Sequence, residues 1–275
     1  MSHPRLKRCS SVLSTLRGSH ARDGKYDINT QDGVCYLGAN AIASMSDGRC
    51  LMDSVIDCYV ESIYYYNPNP QVFVAPIYFT TLIFSVDDGK KIKMLERLEK
   101  KHGKSIFEFM EIHFPVLSGF HYFTLSIVVN RNDQGSITSL EYSVCCSRGL
   151  DYTEGKEKEF VRFMAMYWGK TKGTIAPFRQ KSTLGARLPS QGQNASNCGV
   201  FTAFFLERMI RRTNNVEKLI FNNNAAREYR LVIQETILRF VQEMGYNLEP
   251  TKPTKRTKRS KRVAGYNGVI NLCDD

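Results

Sequence analysis

The sequence has no run of eighteen or more apolar residues, so nothing in it is built to span a membrane as a helix. Its basic N-terminus, Met-Ser-His-Pro-Arg-Leu-Lys-Arg-Cys, lacks the apolar stretch that would follow in a secretory signal, which argues for an intracellular protein. There is no C-x-x-C pair, and no histidine stands at zinc-ligand spacing from a cysteine, so a structural metal site is not expected. The 8 cysteines are too sparse and irregular in 275 residues for a disulfide framework, which points to a reducing compartment. No internal repeat appears.

What is present is an ordinary globular composition, with 42% hydrophobic and 24% charged residues, and length enough for one large domain or two small ones with a sizeable core. The net charge of +11 is unevenly spread. Lys252, Lys255, Arg256, Lys258, Arg259, Lys261 and Arg262 fall within eleven residues that show no apolar period. Such a run reads as a disordered tail, serving as a nuclear localisation signal or an electrostatic contact to nucleic acid. Residues 1–28, with Arg5, Lys7, Arg8, Arg17 and Arg22, form a second loose basic end. The folded domain is expected over 29–248, and a basic tail over 249–275.

Inside these limits, helix and strand patterns alternate. Apolar residues at 51, 52, 55, 56, 59, 60 and 63 have a helical period, and Pro68 and Pro70 close that segment. A short element follows from Val72 toward Ser85, and a charged region over 87–102 is helical around Lys91 to Lys100. Residues 107–114, 123–129 and 137–144 read as strands, the last two joined by the turn Asn130-Arg-Asn-Asp-Gln-Gly135. Residues 157–168 form an amphipathic helix, a polar loop leads to Cys198, and two helices close the domain, from Gly199 and over 225–244. The order predicts an α+β fold, with a central mixed sheet meeting the N-terminus of a buried helix.

That helix start carries the chemistry. Cys198 stands between a glutamine-bearing loop, with Gln191 and Gln193, and the apolar run beginning Gly199-Val-Phe. A thiol there meets the positive end of the helix dipole, which favours the thiolate, so Cys198 is a candidate nucleophile. The competing reading is a small buried filler. A nucleophilic thiol needs an imidazole to carry its proton and a third group to orient the ring. His3 and His20 lie in the loose N-terminus, His102 among lysines and His113 within an apolar strand. His121 follows Ser118-Gly119 at a strand mouth and is the preferred base. Glu141, in the next strand, is the candidate orienting acid. The glutamines can donate an amide N–H to a developing oxyanion beside the backbone N–H of Cys198.

Assembled, these segments resemble the Ulp/SENP family of ubiquitin-like-protein cysteine proteases over roughly residues 48–245. Gln191-Gly-Gln-Asn-Ala-Ser-Asn-Cys-Gly-Val-Phe201 is similar to the family's P-Q-Q-x-N-x-x-D-C-G-x-F. Cys50-Leu-Met-Asp53-Ser-Val-Ile-Asp-Cys-Tyr59 resembles W-L-x-D-x-x-I-x-x-Y, and His121-Tyr-Phe-Thr-Leu-Ser-Ile-Val resembles H-W-x-L-x-V-I. Ile137-Thr-Ser-Leu-Glu141 is similar to I-x-Y-x-D.

The resemblance implies a papain-like, adenain-like domain acting as a monomer without a cofactor. Cys198 would be the nucleophile, His121 the base, Glu141 the orienting acid and Gln191 or Gln193 the oxyanion donor. Tyr122 or Phe123 would roof the channel for a modifier's Gly-Gly tail, and Asp53 and Asn197 would join the substrate site. Strand alternation puts Tyr122 where the histidine should be, so a one-residue bulge is expected at His121. The family glutamine stands six residues before the cysteine, where this chain has Gly192. Val269, Ile270 and Leu272, followed by Asp274 and Asp275, resemble a SUMO-interacting motif, which favours SUMO as partner. Three other readings stay open: a SUMO binder that does not cleave, an acetyltransferase like those of bacterial effectors with the same Cys-His-Glu order, and a nucleic-acid-binding protein.

Overall fold

A computed structural model of the chain describes residues 25–30, 33–149, 153, 155–180, 189–192, 195–212 and 221–244. The basic segment at 252–262 and the apolar pattern at Val269, Ile270 and Leu272 lie outside them, as does Gln193.

The centre is a five-stranded mixed sheet in spatial order β3 (Val72–Val74), β4 (Glu111–Ser118), β5 (His121–Arg131), β6 (Ile137–Cys145) and β7 (Phe178–Gln180). The three long central strands pair antiparallel, and the two short edge strands run parallel to their neighbours. A separate antiparallel hairpin, β1 (Lys25–Thr30) and β2 (Gly33–Gly38), precedes α1 (Ala39–Ser44) and α2 (Asp53–Tyr66). Helices α3 (Ile77–Ile83), α4 (Asp88–His102), α5 (Lys156–Lys172), α6 (Cys198–Ile210) and α7 (Asn223–Glu243) complete the described elements.

Strand alternation divides the core in two. On one face Tyr122 and Cys145 pack with α1, α2, α6 and α7. On the other, Phe123, Leu125, Ile127 and Leu140 pack with α3, α4 and α5. Every residue of α6 from Cys198 to Glu207 is buried, which explains why its sequence is apolar on all sides. The one carboxylate in that stretch, Glu207, accepts hydrogen bonds from the hydroxyls of Tyr59 and Tyr229. These bonds offset its desolvation and tie α6 to α2 and α7.

Two sequence expectations are corrected. Phe107 does not open a strand, because Ser105 and Glu108 form a capping box that closes a 3-10 turn over Ile106–Glu108, and β4 begins only at Glu111. The segment after Val72 contains two elements rather than one, since Pro76 starts α3 and Asp57 accepts the Ile77 N–H. The charged helix extends to the whole of 88–102, capped by the Asp87 side chain and by Gly103 in the left-handed region.

Candidate active site

Three element ends meet at one end of the central strands: the start of α6, the start of β5 and the end of β6. Cys198 is the first residue of α6 and is 1% exposed. Its Sγ faces the backbone N–H groups of Tyr122, Gly199 and Cys198 itself, and its S–H donates to the carbonyl of Phe120 at 3.9 Å. The sulfur is thus held against the residues on either side of His121. Burial pushes the Cys198 thiol above its ordinary value, outweighing the three amides and the nearby Arg148 guanidinium. The helix-dipole argument from sequence had the opposite sign, because it left out desolvation, which is the largest effect here.

Gly199 makes this placement possible. A Cβ built on it would lie 2.9 Å from Cβ of Leu51 and 3.4 Å from both Ile56 Cδ1 and Tyr122 Cδ2. The residue after Cys198 therefore has to be glycine for the helix to sit this close to α2 and β5.

His121 opens β5 opposite Ser118, across the two-residue turn Gly119-Phe120 in which Gly119 has φ +56°. The ring is buried, and Nε2 lies 3.1 Å from Sγ of Cys146, just past the end of β6. Burial first, and then the charge of Arg148, pull its pKa down to about 4. A histidine lowered in the folded state adds stability that is complete above its unfolded value near 6.5 and is lost as pH falls through about 4. Chemical denaturation is expected to show up to about 3 kcal/mol less stability at pH 4 than at pH 7 from this group. His121→Gln should remove that part of the slope, and a variant as acid-sensitive as wild type would contradict the assignment.

The other candidate positions are brought together only in part. Glu141 is not at the histidine: it pairs with Val128, seven residues along β5. The antiparallel register runs from Val128↔Glu141 to Thr124↔Cys145, so the chain beside the start of β5 is Cys146 to Arg148, and the acid assignment to Glu141 is corrected. The expected bulge is also absent, since pairing runs unbroken from Ser118↔His121 to Glu111↔Val128. His121 reaches the site because it is the first residue of its strand. His113 is a core histidine, with Nδ1 2.9 Å from Ser126 Oγ and Nε2 3.4 Å from Glu111.

Phe123 is fully buried on the α3–α5 face, so it roofs no channel. Tyr122 is 5% exposed beneath Gly199, its hydroxyl pushed up by burial and by neighbouring Asp53. Asp53 stands in the first turn of α2, where its carboxylate accepts the Ser54 N–H. Asn197 is 4% exposed and faces the scaffold instead of a substrate: its Nδ2 donates to Asn223 at 3.0 Å and its Oδ1 accepts from Arg230 at 3.1 Å.

Gln191 is fully buried beside the end of β6. Its N–H donates to the Ser147 carbonyl at 3.1 Å, its Oε1 accepts from Ser147 Oγ at 2.7 Å, and its carbonyl accepts from Asn223 at 2.7 Å. Cys146, Ser147, Arg148 and Arg230 are the residues that sequence reasoning missed. For the first three the signal was available: continuing the β5–β6 hairpin past residue 144 reaches them. Among the described residues, no cluster of three or more His, Cys, Asp or Glu side chains has the geometry to hold a metal ion. No described helix is long and apolar enough to cross a membrane.

A cysteine at the N-terminus of a buried helix, packed against the residues on either side of a histidine that opens the central strand of a helix-flanked mixed sheet, fits the papain-like α+β fold. Within that class the chain has the fold of the Ulp1 protease domains. It superposes on the C-terminal Ulp1 protease domain solved in complex with Smt3, the yeast ortholog of SUMO, with a TM-score of 0.59 at 14% identity, covering 85% of this chain and 94% of that one. A Chaetomium thermophilum Ulp1-like SUMO protease catalytic domain gives 0.61 at 18% identity over 87% and 90%. A de-sumoylating protease gives 0.60 at 14% identity over 82% and 95%. No protein-family model matches the sequence, and no curated protein does.

Proposed function

We propose that the protein is a thiol protease that cleaves after the C-terminal Gly-Gly of a ubiquitin-like modifier, with SUMO as the modifier, in precursor processing or deconjugation. The observation that carries this reading is the Cys198 sulfur, seated among three backbone N–H groups against the two residues flanking His121, on a Ulp1-type fold. Cys198 attacks the carbonyl carbon of the terminal glycine, its proton passing to His121 as the S–C bond forms. His121 returns that proton to the leaving amine as the C–N bond breaks. Water, deprotonated by His121, then attacks the thioester, and the modifier leaves as a carboxylate while the thiol is restored.

Both partners rest uncharged at pH 7, because the thiol is raised and the imidazole lowered. Turnover therefore depends on proton transfer during attack, or on the small thiolate fraction, and should climb as the solution is made alkaline. The same neutral pair supports the second reading, a modifier-binding domain that does not cleave. A nuclear location belongs to the proposal through the basic segment at 252–262, as does a SUMO contact through Val269, Ile270 and Leu272.

Fluorogenic C-terminal amides of SUMO, a Nedd-type modifier and ubiquitin, assayed at pH 7 and pH 9, decide between them. Release from the SUMO substrate, faster at pH 9, is expected. Release no greater than the enzyme-free background from all three at both pH values would reject the protease.

A further inference from the structure

We infer that Cys146 is the positioning residue of this site: its side chain holds Nε2 of His121 and so determines which ring nitrogen is left to take the proton of Cys198. The inference rests on the thiol-protease reading above. The geometry behind it is the 3.1 Å contact from His121 Nε2 to Cys146 Sγ, with both side chains buried and the sulfur just past the last residue of β6. His121 is fixed by its pairing with Ser118, and Cys146 follows directly on Cys145, which pairs with Thr124. A group that holds the far nitrogen of an imidazole fixes its tautomer and its orientation together.

The consequence follows from which atom carries hydrogen. If the Cys146 S–H donates to Nε2, the ring's own proton sits on Nδ1 and the ring cannot accept from Cys198. If Nε2–H donates to the Cys146 sulfur, Nδ1 has a lone pair and the base is ready. A carboxylate, being an acceptor only, would enforce the second state, whereas a thiol permits both. Deprotonating Cys146 turns it into an acceptor and selects the active tautomer. Burial pushes that thiol up, with Cys198 adding to the effect, so the selection is made in alkaline solution. The charged and titratable groups facing the pair are Arg148, beside both His121 and Cys146, and Cys198 from α6. Asp53, Asp57 and Cys50 act electrostatically on the neighbouring Tyr122.

The test uses full-length protein with isotope-labelled histidine, the His121 signals being assigned by their loss in His121→Gln. Wild-type His121 is expected to titrate near pH 4. In Cys146→Asp the new carboxylate should raise that midpoint above 6, of the order expected for a charge in contact. The same variant should raise kcat at pH 7 with KM unchanged, and flatten the alkaline climb. A folded Cys146→Asp protein whose His121 midpoint stays near 4 would overturn the inference.

Should the buried aspartate prevent folding, Cys146→Ala decides instead. Its His121 15Nε2 resonance should move and its kcat fall by roughly tenfold at constant KM, since a misplaced catalytic group loses rate rather than binding. Cys146→Ser should recover part of the loss. A 15Nε2 resonance identical to wild type in Cys146→Ala would overturn the inference. If neither wild type nor any variant hydrolyses a modifier amide, the protease reading fails by itself, while the His121 titration still decides the role of Cys146.

Discussion

Cys198→Ala is expected to lower hydrolysis of the SUMO amide at pH 9 by about 10⁴-fold or more, the scale of loss when a protease nucleophile is removed. Stability should stay within about 1 kcal/mol of wild type, because alanine keeps the helix start and deletes one buried sulfur. The combination is diagnostic. The three backbone N–H groups around the sulfur belong to Tyr122, Gly199 and residue 198 itself, so they persist in the variant. Modifier binding, measured by calorimetry, should therefore survive while turnover disappears. Equal release by wild type and Cys198→Ala would mean that the thiol is not the nucleophile.

Arg230→Ala should be the most damaging substitution for the fold. The side chain is 1% exposed and donates to the carbonyls of Ser44, Ser46, Arg49 and Ser196 at 3.2, 3.1, 2.5 and 3.0 Å, and to Oδ1 of Asn197 at 3.1 Å. All five acceptors are uncharged, so the guanidinium is stabilised by oriented dipoles and fastens α7 to two loops at once. One loop leads to Cys50 and Asp53, and the other ends at Cys198. Truncation leaves several buried acceptors without this donor, at about 1–3 kcal/mol each where water cannot replace it, so a total of about 4 kcal/mol or more is expected. For a domain of this size that lowers Tm by roughly 10 °C. Urea unfolding monitored by circular dichroism measures it, and a loss below about 1 kcal/mol would show that Arg230 is dispensable. Arg230→Lys should recover only part, having three donors from a single nitrogen where arginine offers a fork of five.

Much of the architecture is legible in the sequence because it is written in local periods. The all-round apolar run after Cys198, the alternation through β5 and the polar turn after Asn130 each identify an element within a few residues. The choice of His121 over His113 also rests on local context, a Ser-Gly turn against an apolar strand interior. What the residues do not disclose is long-range. Glu141 sits in the right strand, but only the pairing of β5 with β6 shows that Cys146 comes to the histidine. Asn197 adjoins Cys198 in sequence, yet its side chain turns toward Asn223 and Arg230, partners 26 and 33 residues away. The sign of the Cys198 shift was out of reach for the same reason, since a helix N-terminus is visible in sequence and the depth at which it is buried is not.

The contact at Gly199 has one more implication. The α6 backbone lies against Leu51 with no room for a single added carbon between them. The entry of α2 and the start of α6 are therefore set at one spacing, and Gly199→Ala would have to part them, moving Cys198 relative to Leu51 and Tyr122.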